Sequence, residues 1–296
     1  MQFSKASLTF EQQLDHLISR GLQVEDKQSA IAYLSHINYY RLGTYWWSLI
    51  DDHTTHTFKA DATFDQVLNL YAFDRELRLL LLDAIERIEV SLRTQWAFHL
   101  SNKYGAHAHL DKDVFLKKFD HSDFIDKLQK EIKRTSDKNI KKQNYKYEEL
   151  TPAIWIICEV MSFGWLSRCY DAIGRRGLRA DIADTYKLNE VVLSSFLHHI
   201  TTVRNICAHH SRLWNRDFTF TMKLPTNGQP ELLESFNKGN TKQLYNTLVM
   251  CGYFMDLISP DNHWKQKLKA LIEKHNIDVT EMGFPSDWIQ RSIWAE

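Results

Sequence analysis

The stretch Phe64–Leu100, FDQVLNLYAFDRELRLLLLDAIERIEVSLRTQWAFHL, carries the longest helical pattern of the chain and decides its fold class. At the three- and four-residue spacings of an α-helix, one side of it carries Leu77, Leu81, Ala84, Ile88, Leu92 and Gln95. The opposite side is also partly apolar, with Leu79, Leu82 and Val90. A helix that is apolar on both sides is typically buried, so we predict a central helix and consider a break near Asp74.

Helix-breaking residues are scarce throughout the chain. It has 10 glycines and 5 prolines among 296 residues, about half the combined share of roughly 12% in average proteins. No stretch shows the sustained alternation of apolar and polar residues between turn signals that predicts a hairpin. We therefore predict an all-α protein, with a helical domain at residues 61–296 and a small helical region at residues 1–60 as a candidate for RNA or partner contact. The clearest predicted loop runs from Leu224 to Gly239.

Composition limits the class of protein. A content of 44% hydrophobic and 25% charged residues excludes wholesale disorder. No apolar stretch reaches the roughly 18 residues that a membrane span needs. No apolar run follows Met1–Lys5, so we expect no secretory signal, no membrane contact and a cytoplasmic location. The four scattered cysteines are expected to be reduced and mostly buried: Cys158, Cys169, Cys207 and Cys251.

Positive charge is unevenly distributed along the chain. The 37 basic and 37 acidic side chains cancel, which excludes a protein that coats nucleic acid by bulk attraction. Residues 127–146, however, hold eight Lys or Arg against two acids. We interpret this inserted basic segment as a solvated helix that fades into a loop. It is either an ordinary solvated face or a track for an RNA backbone.

The segment Val203–Arg216, VRNICAHHSRLWNR, carries the most informative polar residues. On a helical wheel, a polar stripe contains His198, Thr202, Asn205 and His209, and Arg216 joins it if the helix continues that far. Arg204 lies about 140° from His209 on the same wheel. To act together, the two side chains must either bend toward each other or meet across two copies of the chain.

Histidine beside arginine suits acid–base chemistry at a phosphodiester. Imidazole titrates near neutrality and can take or donate a proton, and guanidinium binds the phosphate oxygens on which charge builds up. RNA supplies its own nucleophile, the 2′-hydroxyl. Because Arg and His within six residues is a weak pattern, residue chemistry alone leaves a plain polar helix face as the alternative.

A longer pattern is more specific. Arg204-Asn205-x3-His209 resembles the Arg-polar-x3-His motif of HEPN-domain ribonucleases. The string Arg-Asn-x-Cys-Ala-His-His-x-Arg-Leu-Trp-Asn-Arg at residues 204–216 resembles the signature of the bacterial Abi (abortive infection) family, of the AbiD and AbiF type. Other stretches resemble the same family in the same order: Glu11–Leu22, Asn38–Leu42, Phe73–Arg78, Ile85–Arg93, Pro152–Trp155 and Ser162–Gly164.

The resemblance implies a HEPN-like helical bundle and metal-independent endonuclease chemistry on RNA, with no cofactor. It also implies a homodimer whose two motifs face each other across one composite site. In that site His209 is the general acid/base, Arg204 the phosphate clamp and Asn205 the orienting residue. Some relatives are described as toxins, which implies a small noncoding RNA or a protein as a further partner, the antitoxin.

Further residues are assigned to RNA binding or to support of the site. They are His210, Arg212, Asn215, Arg216, Tyr40, Arg41, Glu86, Glu89 and Arg93. The alternative for Arg212 is a local salt bridge. Glu89 and Arg93 are expected to form an i,i+4 pair, with Glu86 directed at Arg204, and direct participation in the site is the alternative. Tyr40 and Arg41 suit a stacked base and a phosphate, although aromatic residues at helical spacing are more often core.

Two other classes of function stay open. The fourteen histidines show no Cys-His or His-Glu-x-x-His spacing, so we expect no metal site. The alternative to the nuclease is a non-catalytic RNA-binding or scaffolding module of a defence system. A nucleotide-modifying activity in place of cleavage is also compatible with a phosphate-binding pocket.

Overall fold

The computed structural model describes residues 6–146 and 148–295. The stretch Met1–Lys5, on which the expectation of no secretory signal rests, lies outside them. The described residues form α-helices, short 3₁₀ turns and one two-stranded ribbon, so the all-α prediction is confirmed. In chain order the helices are α1 (Phe10–Ser19), α2 (Lys27–His36), α3 (Tyr39–Trp46), α4 (Phe64–Tyr104), α5 (His121–Arg134), α6 (Lys138–Lys146), α7 (Ile154–Ile157), α8 (Phe163–Asp171), α9 (Arg176–Asp184), α10 (Glu190–Ala208), α11 (Pro230–Ser235), α12 (Tyr245–Ile258) and α13 (Trp264–Lys274).

The ribbon is short and antiparallel. It pairs β1 (Ile50–Asp52) with β2 (Thr57–Phe58), and Ile50 lies opposite Phe58. Both of these residues are buried, so the ribbon closes over an apolar interior. In the described part of the chain, no helix is both long and apolar enough to cross a bilayer.

The chain packs as two compact units. One comprises the residues up to Arg78 together with Leu268–Asp278, and the other comprises Leu79–Lys267 together with the residues from Val279 onward. The boundary at Arg78 falls inside α4, later in the chain than the predicted division at residue 60. That predicted division concerns the roles of the two regions rather than their packing, and it stays a prediction.

The long helix α4 runs unbroken through Asp74, so the break considered there does not occur. Asp74 is fully buried. Its carboxylate accepts a hydrogen bond of 2.7 Å from the Tyr45 hydroxyl and pairs with Arg78, one helical turn further on. Because the buried charge has both a counterion and a hydroxyl donor, the helix continues past it.

The prediction that both sides of α4 are buried is wrong for one of its faces. Leu77, Leu81 and Ile88 are buried as expected. On the opposite face, Leu79 is 55% exposed and Val90 is 52% exposed. Burial among the described residues therefore does not account for the apolar side chains of Leu79 and Val90.

Helix starts in the first unit follow the sequence closely. The Thr9 hydroxyl accepts from the Gln12 backbone N–H, and the Gln12 side chain accepts from the Thr9 N–H, which completes the capping box. Asp26 caps α2 through the Ser29 N–H. These reciprocal bonds satisfy N–H groups that a helix leaves without partners at its start.

Helix α10 forms the core of the second unit. Its residues Phe196, Ile200 and Val203 are fully buried, and the ring of Phe196 stacks on that of Phe254 in α12 with centroids 4.8 Å apart. The four cysteines are buried free thiols, which confirms their assignment.

Three segments of this unit test the finer predictions. The basic segment 127–146 is split between α5 and α6, and the described residues 148–153 that follow it are irregular, as predicted. Helix α5 is amphipathic, and its apolar side chains are buried. The predicted loop Leu224–Gly239 contains the short helix α11, which starts at Pro230, where proline is well tolerated. Trp288 and Trp294 are buried in the otherwise irregular tail.

Candidate functional site

Helix α10 ends at Ala208, inside the polar segment that the sequence singles out. His209 caps it, and His210 takes a left-handed conformation with φ of 56°. The His210 N–H donates to the Cys207 carbonyl oxygen, and the Ser211 N–H donates to that of Ile206. This pair of bonds is a common helix ending, usually built around glycine at the left-handed position.

The helical wheel therefore applies as far as His209 and no further. Arg204 and His209 are five residues apart, which corresponds to about 140° on the helical wheel. Arg216 does not join the polar stripe, because the chain has already turned away from the helix at His210.

Arg204 and Asn205 line an open cavity of about 410 Å³, which we call the Arg204 cavity. Helix α10 contributes His198, Thr201 and Thr202 to the same wall. The facing wall is the start of α8 with the residue before it: Ser162, Phe163, Gly164, Trp165, Ser167 and Arg168. His209 is exposed and is not part of this wall.

Close packing of α8 on α10 shapes the cavity. A methyl group on Gly164 would lie 3.0 Å from Cγ2 of Thr201, closer than carbon atoms normally approach. Ser162 caps α8 by accepting from the Trp165 N–H. Helix α8 therefore begins just before Gly164, and Gly164 is needed for the close approach of the two helices.

A pair of charged side chains in α4 contacts the backbone next to the Arg204 cavity. Arg93 in α4 donates to Oε1 of Glu89 over 2.5 Å and to the carbonyl oxygen of Met161 over 2.8 Å. The predicted Glu89–Arg93 pair is confirmed. Since Met161 precedes Ser162, the Arg93 guanidinium also fixes the backbone at the rim of the Arg204 cavity.

Glu89 responds electrostatically to Arg204. Burial raises the pKa of Glu89, and the guanidinium groups of Arg93 and then Arg204 oppose that rise. Glu86 was expected to reach Arg204, but in the described part of the chain it makes no hydrogen bond or ion pair with it. Arg204 thus lies close enough to Glu89 to influence its ionisation.

The family follows from comparison with known proteins. Residues 32–215 match the family model described as Abi-like protein, which is more than half of the chain. The chain belongs to the Abi-like family. Neither the curated proteins nor the solved structures contain a match to it. Membership of the family points to abortive infection, a form of phage defence.

The matched range of this Abi-like protein includes Arg204, Asn205 and His209. It ends at Asn215, so Arg216 lies just outside it. The predicted supporting residues after α10 stabilise the turn itself. Asn215 has a left-handed φ of 46° and its amide donates to the carboxylate of Glu281, while Arg216 donates to the carbonyl oxygen of Arg212 over 2.9 Å.

Tyr40 and Arg41 of the Abi-like protein lie in the first unit, not in the unit that holds the Arg204 cavity. Tyr40 is 85% exposed and Arg41 is also exposed. By contrast, Tyr45 and Trp46 are buried. The aromatic cluster of this region is therefore core in part, with Tyr40 as its most accessible ring.

Two residues of the cavity wall were missed as site candidates. His198 lies on the predicted polar stripe, one helical turn before Thr202, and that spacing was the available signal. Arg168 stands near the end of α8, and nothing in the sequence marks it. In the part of the chain that the structure describes, no cluster of three or more His, Cys, Asp or Glu side chains is arranged to hold a metal ion.

Proposed function

We propose that this Abi-like protein is a metal-independent endoribonuclease with a HEPN-like domain of the AbiD and AbiF type. It cleaves RNA in the cytoplasm, either during abortive infection or as the toxin of a toxin–antitoxin pair. The observation that carries the proposal is the Arg204 cavity. It presents Arg204 and Asn205 at an open surface, with His209 exposed at the end of the same helix.

The chemistry needs a proton acceptor, a proton donor and a phosphate ligand. The 2′-hydroxyl of RNA attacks the adjacent phosphorus, the bond from phosphorus to the 5′-oxygen breaks, and a 2′,3′-cyclic phosphate and a 5′-hydroxyl result. His209 takes the proton from the 2′-hydroxyl or returns one to the leaving oxygen. Arg204 stabilises the charge that builds on the non-bridging oxygens, and Asn205 orients the phosphate.

Two copies of the chain complete the site. Within one chain His209 is absent from the wall that holds Arg204, and the two side chains leave α10 about 140° apart. A second copy that brings its own His209 to the Arg204 cavity supplies the missing proton-transfer group. Arg204 also lowers the pKa of Glu89 against the larger effect of burial, so the two groups are coupled electrostatically.

The test uses a mixed pool of unstructured RNA in the presence of EDTA. Wild-type protein should leave 5′-hydroxyl and cyclic phosphate ends, while His209→Ala and Arg204→Ala should lose cleavage by at least about a hundredfold. The matched control is His263→Ala, which removes another exposed histidine of the same unit and should cleave normally. Loss of cleavage in EDTA would rule out the metal-free mechanism.

Co-expression of the two inactive variants tests the composite site. A mixed dimer of Arg204→Ala with His209→Ala retains one intact Arg204 and one intact His209, so it should recover cleavage that neither parent shows. No recovery in a purified mixed dimer contradicts the shared site. If wild type and His209→Ala both bind RNA and leave it intact, the chain is a non-catalytic RNA-binding module instead.

A further inference from the structure

A second and larger cavity of about 640 Å³ continues from the Arg204 cavity. The two cavities share Ser167, Arg168 and His198 in their walls. We call the joined surface the α10 groove, because one face of α10 forms its floor from Glu190 to Asn205. Both cavities lie within the second unit.

The length of the groove exceeds what a single phosphate needs. Fifteen residue steps at a helical rise of 1.5 Å span about 22 Å. At the roughly 3.4 Å rise of a stacked strand, that distance accommodates about six nucleotides. The groove is therefore long enough for the nucleotides that flank one phosphate in the Arg204 cavity.

The charge along the groove is positive once local pairs are counted. Its two acids are paired with arginines: Asp171 with Arg179 at 3.9 Å, and Glu190 with Arg176 at 2.7 Å. The exposed cations Lys118, Arg168 and Lys223 make no ion pair with the described residues. A polyanion can therefore exchange its counterions for these side chains without first breaking a salt bridge.

Apolar surface accompanies these cations. Phe220 is 41% exposed, and its ring stands edge-on to that of His198 with centroids 4.4 Å apart. Val191 is exposed nearby, and Phe119 is half-buried in the same wall. Open aromatic faces next to phosphate-binding cations are typical of proteins that bind single strands, because unpaired bases can stack on them.

We infer that the α10 groove binds single-stranded RNA, and that it holds the nucleotides on one side of the phosphate placed in the Arg204 cavity. This inference rests on the proposed function for the identity of the nucleic acid. The cations Lys118 and Lys223 bind backbone phosphates in the larger cavity, Arg168 binds one where the two cavities meet, and Phe220 stacks a base.

The first experiment measures binding by fluorescence anisotropy with a labelled oligouridylate of about twelve nucleotides. The full-length chain carries His209→Ala throughout, so that the RNA is not consumed. Lys118→Gln with Lys223→Gln should weaken binding roughly tenfold. The slope of log affinity against log salt should become shallower by about 1.4, because each lost phosphate contact on a single strand contributes about 0.7.

The matched control removes the same charge elsewhere. Lys238 and Lys242 are exposed lysines of the same unit and line neither cavity, so Lys238→Gln with Lys242→Gln should leave both affinity and salt slope unchanged. Phe220→Ala gives an independent readout: it should weaken binding about fivefold or more through lost stacking, with the salt slope unchanged. A duplex of the same length should bind more weakly than the single strand.

Three results would overturn the groove assignment. The first is equal RNA affinity of the Lys118/Lys223 variant and the Lys238/Lys242 control, and the second is tighter binding of duplex than of single-stranded RNA. The third is a change of oligomeric state in the Lys118/Lys223 variant, which would make the groove an interface between copies of the chain. The proposed nuclease fails separately. If wild type cleaves nothing while these binding differences hold, the nuclease proposal is lost and the groove stands. If Lys118→Gln with Lys223→Gln cleaves normally in a chain that keeps His209, and affinity is unchanged in the His209→Ala background, only the groove is lost.

Discussion

Replacing Gly164 by alanine should destabilise the protein even though alanine is the better helix former. Gly164 lies in the first turn of α8, where alanine gains up to about 1 kcal/mol over glycine. The added methyl, however, would lie 3.0 Å from Thr201 Cγ2, which is about 0.5–1 Å short of an ordinary carbon contact. Forcing such a contact in a packed interface costs about 1–3 kcal/mol, so Gly164→Ala should lower the free energy of unfolding by about 0–2 kcal/mol.

A second substitution isolates the clash. Thr201→Ser removes only the Cγ2 methyl and keeps the hydroxyl that donates to the Leu197 carbonyl oxygen over 2.8 Å. In that background Gly164→Ala should be neutral or stabilising, so the double-mutant cycle should show a coupling of about 1–3 kcal/mol. Urea unfolding at constant m-value measures all four proteins. A coupling below about 0.5 kcal/mol, the usual error of additivity, would refute the close-packing argument.

Three further predictions concern stability. Burial lowers the pKa of His109 to about 3, against about 6.5 in an unfolded chain. Between these two pH values the unfolded state binds more protons than the folded state, so the free energy of unfolding should fall by about 1.4 kcal/mol for each pH unit below about 6.5. Urea unfolding of His109→Gln should show a shallower dependence of stability on pH. His199, whose pKa burial also lowers, acts with the same sign. Asp74→Asn removes the carboxylate that pairs with the buried Arg78 guanidinium and should cost about 3–5 kcal/mol. Adding Arg78→Met should recover part of that loss, and a double variant no more stable than Asp74→Asn would contradict this. His210→Gly should be more stable than His210→Ala by about 1 kcal/mol, because both remove the imidazole and only glycine is unstrained at a φ of 56°; equal thermal stability of the two variants would contradict the left-handed turn.

Local signals in the sequence predict where helices form better than they predict which side chains pack around those helices. The capping box at Thr9 and Gln12 depends on side chains three residues apart, and the structure reproduces it. The continuity of α4 through Asp74 depends on Tyr45, which lies twenty-nine positions away. The spacing of Arg78 four residues after Asp74 is a local signal, but no local pattern indicates Tyr45, so the sequence shows only one of the two partners that let the helix continue.

The candidate site shows the same limit. The polar stripe of α10 is periodic and could be recognised, including His198. The end of the helix at Ala208 could not, because glycine usually marks such an ending and this chain has His210 there. The opposite wall comes from α8, and its Arg168 follows no spacing that relates it to Arg204. Only packing in three dimensions brings these two guanidinium groups to one cavity.

Net neutrality is compatible with RNA binding because the chain neutralises its cations unevenly. In the basic segment, which stands out in the sequence, part of the positive charge is paired on the same helix: Lys127 with Asp123 at 2.6 Å and Arg134 with Glu131 at 3.2 Å. The cations of the α10 groove come from distant parts of the chain and therefore form no run in the sequence. Yet the acids of the groove are already engaged by other side chains. The positive charge that a polyanion can bind thus depends on which cations are already paired with acids nearby. Neither the net charge of the chain nor a run of charges along its sequence measures this quantity.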